Sequence, residues 1–186
     1  MVQPMSRVSP AQPVFSDRFD QRVFRRAMSR FATGITIVTA LANGDPGLPV
    51  GVTINSFTSV SLDPPLVLFC LGAHAGTSDA FRACDVFAIT MLAEGQQDLS
   101  DHFAKPSAWP WRAQWQGLAD GCVAPGPHGV PIFPGSLAWL ICRRSALYEG
   151  GDHCIILGAV ERLSAGDDSL EQRPLLYYES RYRGLA

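Results

Sequence analysis

The hydrophobic and polar residues of this chain alternate over short runs, which is the period of β-strands. The clearest run is VGVTINSFTSVSLDPPL, in which no charged residue precedes the aspartate. In an extended strand Val50, Val52 and Ile54 lie on one face, while Thr53 and Asn55 lie on the other. A strand with one face in water is expected to carry charged residues there. The run therefore predicts one core face and one face of uncharged hydrogen-bonding groups.

Other patterns along the chain predict further short strands and short helices. Apolar residues recur every four positions over residues 19–31, which predicts an amphipathic helix capped by Ser16 or Asp17. The stretch 107–134 is rich in Trp, Gly and Pro and is expected to form a long ordered excursion. Strands are predicted at residues 35–41, 49–57, 64–71, 86–92 and 174–178, with two long strands within 135–166 and short helices at 77–84 and 96–103.

The connections between the predicted strands decide the fold class. Few of them are long enough to contain the full helix that a parallel crossover needs. Several strands with short helices therefore predict an antiparallel barrel, closed or split. A chain of 186 residues and 20.1 kDa has the usual size of one domain. We predict this domain over residues 16–186 and a flexible tail over residues 1–15, which contain three prolines.

Charge and cysteine content limit the function classes. The formal net charge is -2, the pI is about 6.0 and basic residues are scattered, which argues against nucleic acid or an anionic membrane as a partner. The cysteines include no C-x-x-C pair, which indicates reduced, mostly buried thiols and a cytoplasmic protein. No apolar run has the length of a membrane span or forms the core of a signal peptide. Binding is therefore expected in a pocket for a small molecule.

Familiar catalytic and nucleotide-binding motifs are absent from the sequence: there is no G-x-G-x-x-G after a strand, no P-loop, no H-E-x-x-H and no G-x-S-x-G. The histidines lack second ligands at metal spacing, so no metal site is expected. The chain offers instead the hydroxyls and amides between Thr53 and Ser61, which suit the polar edge of an isoalloxazine ring. Thr77 and Ser78 begin a predicted helix, where unpaired N–H groups and the helix dipole favour a phosphate.

Four blocks of the sequence carry a family resemblance. They are FRRAMSRFATGITIVTA, GVTINSFTSVSLDPPLVLFCL, FAITMLAEGQQDLSDHFA and GSLAWLICRRSALYEGGDHCIILGAV. In this order and spacing, from about residue 19 to residue 184, the chain resembles the flavin reductase family. The members are the small NAD(P)H:flavin oxidoreductase components of two-component flavin-dependent monooxygenases.

The resemblance implies a fold, cofactors and partners. The fold is mainly β with short helices, an antiparallel Greek-key split β-barrel of the FMN-binding split barrel type. The chain is expected to reduce FMN or FAD by hydride transfer from NADH or NADPH, and to supply reduced flavin to a partner monooxygenase. A homodimer is expected because the aromatic segments 109–115 and 177–182 would expose apolar surface in a monomer.

The resemblance also assigns roles to residues. His153 of the GGDH turn is the candidate catalytic residue, placed near the nicotinamide. The SRYRGL segment is expected to close the pocket, and Thr90 is left out of the site because the family usually has Asn there. The candidate cofactor-binding residues are Thr53, Asn55, Ser56, Ser59, Val60, Ser61, Thr77, Ser78, Phe103, Lys105, Asp152, Tyr182 and Arg183.

Each assignment has a plainer interpretation beside it. The 53–61 segment also fits a Ser- and Thr-rich turn in water, Thr77 and Ser78 also fit simple helix capping, and His153 also fits a hairpin turn. For the whole protein, the alternative is a non-enzymatic FMN-binding electron carrier on the same barrel. A pyridoxamine-phosphate-oxidase-like enzyme is a third interpretation, but the basic cluster expected around its phosphate is missing from the sequence.

Overall fold

The structure is a computed structural model that describes residues 19–42, 48–105, 114–165 and 172–185. The predicted tail lies outside the described residues, so the bounds of the domain stay a prediction. Strands are the main secondary structure of the described chain, and all of the strand pairs are antiparallel, as the short alternating runs predict. In chain order the elements are α1 (Gln21–Met28), β1 (Thr33–Gly34), β2 (Thr36–Leu41), β3 (Pro49–Ile54), β4 (Thr58–Leu62), β5 (Pro65–Gly72), α2 (Ser78–Ala83), β6 (Val86–Met91), α3 (Gln97–Ala104), β7 (Ala124–Pro125), β8 (Pro131–Ile132), β9 (Ala138–Gly150), β10 (His153–Ser164), β11 (Leu176–Tyr178) and β12 (Arg181–Arg183).

The principal sheet has the strand order β3-β2-β6-β9-β10-β5-β4, and every neighbouring pair in it is antiparallel. Two small sheets, β1-β11-β12 and β7-β8, accompany it. The long β9-β10 hairpin has register shifts at Leu157/Gly158 and at Val160/Arg162. Such shifts bend a strand and increase its twist, so they allow the sheet to curl into the predicted barrel.

Hydrogen bonds from the Ser56 side chain link β5 to the segment that follows β3, across the curled sheet. Ser56, just after β3, donates its hydroxyl to the Cys70 carbonyl of β5 at 2.9 Å and accepts the Cys70 N–H at 3.0 Å. The ladder between β4 and β5 has already ended at the Thr58 and Leu68 pair. The Ser56 hydroxyl therefore pairs main-chain groups that the neighbouring strand does not reach, as buried backbone groups require.

The barrel interior holds the main hydrophobic core. Phe69 is fully buried and meets the rings of Phe81 and Phe87 edge to face, at centroid distances of 6.1 and 5.4 Å. Burial of one phenyl side chain stabilises a fold by about 1.5–3 kcal/mol, so these rings are a principal source of stability. Val50 and Ile54 of β3 belong to this core, which confirms the predicted core face of that strand.

The first helix differs from its prediction in its start and in its surroundings. α1 is capped by Asp20, whose carboxylate accepts the Val23 N–H at 2.8 Å, so the prediction of Ser16 or Asp17 as the cap is wrong. No residue of α1 is buried. The amphipathic pattern predicts the helix correctly, but the apolar face of that helix does not pack on its own barrel.

Two strand predictions also need correction. The strand predicted over residues 49–57 ends at Ile54, and β4 follows as a separate strand at the sheet edge. Four of the five β4 residues are exposed, so this strand has no buried face to produce a hydrophobic alternation. The last predicted strand, 174–178, shortens to β11 and pairs with β12, which was not predicted.

The cysteines agree with the prediction of mostly buried, reduced thiols. Cys84, Cys142 and Cys154 are buried, and all five thiols are free. Burial raises the pKa of Cys84 to about 11 and that of Cys142 to about 12, so both thiols are protonated and unreactive near neutral pH. Among the described residues, none forms a helix long and apolar enough to cross a membrane.

Candidate functional site

A groove follows the outer face of β3, the face that the alternation predicts to be polar. α3 packs across part of this face, where the Thr53 hydroxyl donates to the Ser100 carbonyl at 2.7 Å and Phe103 lies against Gly51. A Cβ at position 51 would lie 2.7 Å from two carbons of the Phe103 ring, so this close approach requires glycine. The groove is the space that α3 leaves open beside the strand.

Three adjoining cavities make up this groove, and we name them the first, second and third cavity. Their volumes are about 310, 210 and 810 Å³, in the range of small-molecule sites. Ala104 lines both the first and the second cavity, and Asn55 and Tyr177 line both the second and the third. The shared residues place the three cavities next to one another along this face of β3.

The groove gathers predicted residues from distant parts of the sequence. The first cavity contains Thr77, Phe103 and Lys105, and the second contains Thr53, Asn55 and Tyr182. Ser56 lines the third cavity together with Asn55, although its hydroxyl is already used in the bond to Cys70. More than half of the predicted cofactor-binding residues thus lie along one surface. Phe103 is only 1% exposed, so most of its ring belongs to the core below the groove.

Tyr182 holds the C-terminal hairpin against α3. Its hydroxyl lies 2.8 Å from the Ser100 hydroxyl, and its ring meets Tyr177 edge to face at 5.6 Å. Burial raises the pKa of Tyr182, the bond to Ser100 lowers it and the nearby Asp101 carboxylate raises it, with a net rise. The phenol is therefore protonated at neutral pH and offers a neutral hydrogen-bonding group to the second cavity.

The first cavity combines cationic and hydroxyl groups. Lys105 and His74 both line it, beside Thr77 at the start of α2. Thr77 is the N-cap residue of α2, as the capping interpretation predicts, but its side chain makes no capping hydrogen bond. The next residue, Ser78, is 2% exposed, and its hydroxyl has no hydrogen-bond partner among the described residues. A cation and unengaged hydroxyls suit an anionic group such as a phosphate.

Asp152 lies in the turn between β9 and β10 and His153 begins β10; neither residue lines the three cavities. His153 Nδ1 is 2.7 Å from Asp152 Oδ1, and the two side chains are 48% and 84% exposed. The hydrogen bond and charge of His153 lower the pKa of the Asp152 carboxyl. The Asp152 carbonyl accepts the Ala73 N–H at 2.9 Å, which anchors the turn beside the loop that carries His74. The imidazole is thus accessible and paired with a carboxylate, near one end of the groove.

The remaining predicted residues lie elsewhere. Ser59, Val60 and Ser61 belong to β4 at the sheet edge, and Arg183 is an exposed residue of β12. None of them lines the three cavities. The reason is the turn at residues 55–57, which directs β4 away from the face of β3. The structure therefore brings the first half of the TINSFTSVS segment to the groove and not the second half.

The groove also contains residues that the sequence does not point to. Arg25 and Ala104 lie in blocks that carry the family resemblance but are assigned no role there, His74 lies outside those blocks, and Tyr177 fits simple packing in the sequence. They meet because the C-terminal hairpin folds back over α3 and α1 lies beside it, which no local pattern encodes. Thr90, left out of the predicted site, is fully buried and lines none of the three cavities. Its hydroxyl has no hydrogen-bond partner among the described residues.

Together these features define a class of protein: an antiparallel split barrel with a groove on one outer face, whose middle cavity is lined by uncharged residues and whose first cavity contains a lysine. Among the residues that the structure describes, no cluster of side chains could hold a metal ion. The class fits proteins that bind a planar, neutral ring with a phosphate attached.

Comparison with known proteins identifies the family. The model of the flavin reductase like domain matches residues 28–186. Over 182 residues the chain is 35% identical to the reductase subunit HsaB of a flavin-dependent monooxygenase from Rhodococcus jostii (strain RHA1), which covers 97% of this chain and 86% of that protein. It is 40% identical over 148 residues to the FMN reductase (NADH) SmoA of Agrobacterium fabrum (strain C58 / ATCC 33970), with coverages of 80% and 79%.

A solved structure gives the same result. The NADH:FAD oxidoreductase SgcE6 of Streptomyces globisporus C-1027, in complex with NAD and FAD fragments, has a TM-score of 0.78 and 36% sequence identity to this chain. The match covers 92% of this chain and 98% of that chain. This chain belongs to the flavin reductase family. The family resemblance and the split-barrel fold predicted from the sequence are therefore confirmed.

Proposed function

We propose that this chain is a flavin reductase that uses NADH to reduce FMN or FAD and supplies the reduced flavin to a partner flavin-dependent monooxygenase. The observation that carries the proposal is the groove along β3, in a chain that belongs to the flavin reductase family. We propose NADH rather than NADPH as the hydride donor because several relatives are NADH-dependent reductases by name. The reductase subunits among the relatives favour an enzyme over the electron-carrier alternative.

The residues of the groove fit a flavin in polarity and in charge. Asn55 and Tyr182 would bind the polar edge of the ring at the second cavity, where no charged side chain is among the lining residues. Lys105 and the Thr77 hydroxyl, which line the first cavity, would hold the phosphate there. A neutral ring and a charged tail thus meet groups of matching character along one continuous surface.

The chemistry itself comes from the cofactors: when both are bound, the nicotinamide supplies a hydride and the flavin accepts it. The protein contributes position and environment. Holding two reactants in the reactive arrangement removes most of the entropic barrier to their encounter. Neutral donors such as the Tyr182 phenol and the Asn55 amide stabilise developing negative charge without adding a competing ion. Tyr177 and Phe57, which line the third cavity, would shield a bound ring from water on that side.

A steady-state assay tests this function directly. The purified protein is mixed with NADH and either FMN or FAD, and NADH absorbance is followed over many turnovers. A reductase sustains NADH oxidation that depends on added flavin. An electron carrier would show bound flavin colour without sustained turnover, and that result would overturn the proposal.

His153 is proposed to orient the nicotinamide, so His153→Ala is expected to raise the KM for NADH. Loss of one hydrogen bond corresponds to roughly a three- to tenfold change. Flavin affinity and melting temperature should stay near the wild-type values because the side chain is half exposed. His128→Ala is the matched control, since His128 is similarly exposed and also contacts a carboxylate, that of Glu161 at 3.4 Å. Equal NADH kinetics in both variants would remove His153 from the site.

We also propose a homodimer, formed through a surface that differs from the predicted one. Residues 109–113 lie outside the described residues, and Tyr177 and Tyr182 are half-buried against each other. Instead, α1 and its flanks present an outward apolar face. The large apolar side chains of this face are each at least half exposed: Phe19, Val23, Phe24, Met28 and Phe31. A continuous apolar face of this kind is typical of an interface, and a second copy is the partner that is always available.

Light scattering tests the dimer. The wild-type protein is expected at twice the chain mass of 20.1 kDa, and Phe24→Glu is expected to shift it to the monomer because a buried carboxylate would lack a partner. Leu163→Glu is the matched control, since Leu163 is similarly exposed but lies on β10, far along the chain from α1. A wild-type monomer, or a Phe24→Glu dimer of unchanged affinity, would contradict this interface.

A further inference from the structure

The polar face of α1 forms one wall of a separate cavity. This cavity has a volume of about 560 Å³ and lies between α1 and the turn that joins β11 to β12. We name it the arginine cavity, because it is lined by three arginines of α1, Arg22, Arg25 and Arg26, and by Arg30 just after the helix, opposite Glu179 and Ser180 of the turn.

The charges of the arginine cavity are unbalanced. Arg30 pairs with Glu179 at 2.7 Å. Arg22, Arg25 and Arg26 form no ion pair with any residue that the structure describes. Like charges three and four positions apart on a helix destabilise that helix. Four arginines facing a single carboxylate therefore favour a bound anion, which would relieve this repulsion.

The opposite wall is held in a strained conformation. Glu179 and Ser180 have φ values of 52° and 59°, in the left-handed region that favours glycine and asparagine. The Glu179 N–H donates to the Ser29 carbonyl at 2.8 Å, which fixes the turn to the end of α1. Non-glycine residues keep such a conformation only where the surrounding contacts enforce it. The wall of the arginine cavity is therefore a fixed part of the fold.

The arginine cavity adjoins the third cavity of the groove. Arg25, Ser29 and Ser180 line both the arginine cavity and the third cavity, which also contains Asn55 and Phe57. A ligand whose ring occupies the groove can thus extend towards the arginines.

We infer that the arginine cavity binds the diphosphate of NADH, a group that FMN lacks. The inference rests on the proposed flavin reductase function. Guanidinium groups bind phosphate oxygens through paired, charge-assisted hydrogen bonds, and two neighbouring phosphates match several adjacent arginines. The arginine cavity is distinct from the first cavity, where Lys105 is proposed to hold the flavin phosphate itself.

Two single variants, Arg22→Ala and Arg26→Ala, test this inference. Both residues line the arginine cavity and neither lines the groove. Arg162→Ala removes the same charge from β10 and is the matched control. Dissociation constants for FMN, FAD and ADP are measured by titration, and KM values are measured for NADH and for reduced nicotinamide mononucleotide with FMN as acceptor.

We expect each arginine variant to bind ADP roughly three- to tenfold more weakly than the wild type and the control, with FMN affinity unchanged. The KM for NADH should rise in these variants while that for the mononucleotide does not. A parallel loss of FAD affinity would place the flavin dinucleotide in this cavity instead and would overturn the inference. Equal affinities for ADP in all proteins, or equal losses for FMN and FAD, would overturn the inference. Failure of the wild type to reduce FMN would count against the proposed function and not against this cavity.

Discussion

Replacing Ala104 with tryptophan is expected to block flavin binding while the fold stays intact. Ala104 is an exposed residue at the end of α3, and it lines both the first and the second cavity. The second cavity is the smallest of the three, at about 210 Å³, so an indole ring at its border would fill the passage. We expect flavin affinity to fall at least tenfold, which corresponds to about 1.4 kcal/mol. Fluorescence titration with FMN and FAD measures the loss.

Ala119→Trp is the matched control for this blocking variant. Ala119 is also exposed and lines none of the three cavities, so its flavin affinity and turnover should equal those of the wild type. Both variants should keep the wild-type melting temperature because exposed positions tolerate substitution. If Ala104→Trp binds both flavins with wild-type affinity, the flavin does not occupy the groove along β3.

The groove illustrates what the sequence can predict about a site and what it cannot. The alternation along β3 predicts that Thr53 and Asn55 share a polar face, because strand geometry fixes the direction of successive side chains. It does not predict that α3 covers part of this face, or that Tyr182 is bonded to Ser100 at its border. Those contacts join residues that are distant in sequence, so they depend on tertiary packing.

The secondary structure likewise includes elements that the sequence predicts and elements that it does not. Buried strands such as β2 and β6 carry enough hydrophobic signal to be predicted, because packing decides their composition. The edge strand β4 is mostly exposed and gives no such signal. α1 is predicted as a helix from its period, yet the period cannot tell which neighbour its apolar face will contact. In the structure no residue of α1 is buried, so the apolar face of the helix does not pack on the barrel of the same chain.

Phe103 connects the stability of the fold with the shape of the groove. The ring is 1% exposed and packs against Trp115 and Phe133, with centroid distances of 5.1 and 5.3 Å. It also contacts Gly51 on β3 and lines the first cavity. The family resemblance assigns this residue to the cofactor, whereas its burial indicates that its larger role is to attach α3 to the barrel.

Phe103→Ala is therefore expected to destabilise the protein strongly. Truncation of a buried phenyl ring loses its transfer free energy and leaves a cavity, together about 3–5 kcal/mol. For a chain of this size the melting temperature should fall by roughly 6–20 °C. Leu163→Ala is the control, because Leu163 is 62% exposed and its truncation should change the free energy of unfolding by less than about 0.5 kcal/mol. A loss below about 1 kcal/mol for Phe103→Ala, with flavin affinity reduced tenfold, would mean that the ring contacts the cofactor more than the core.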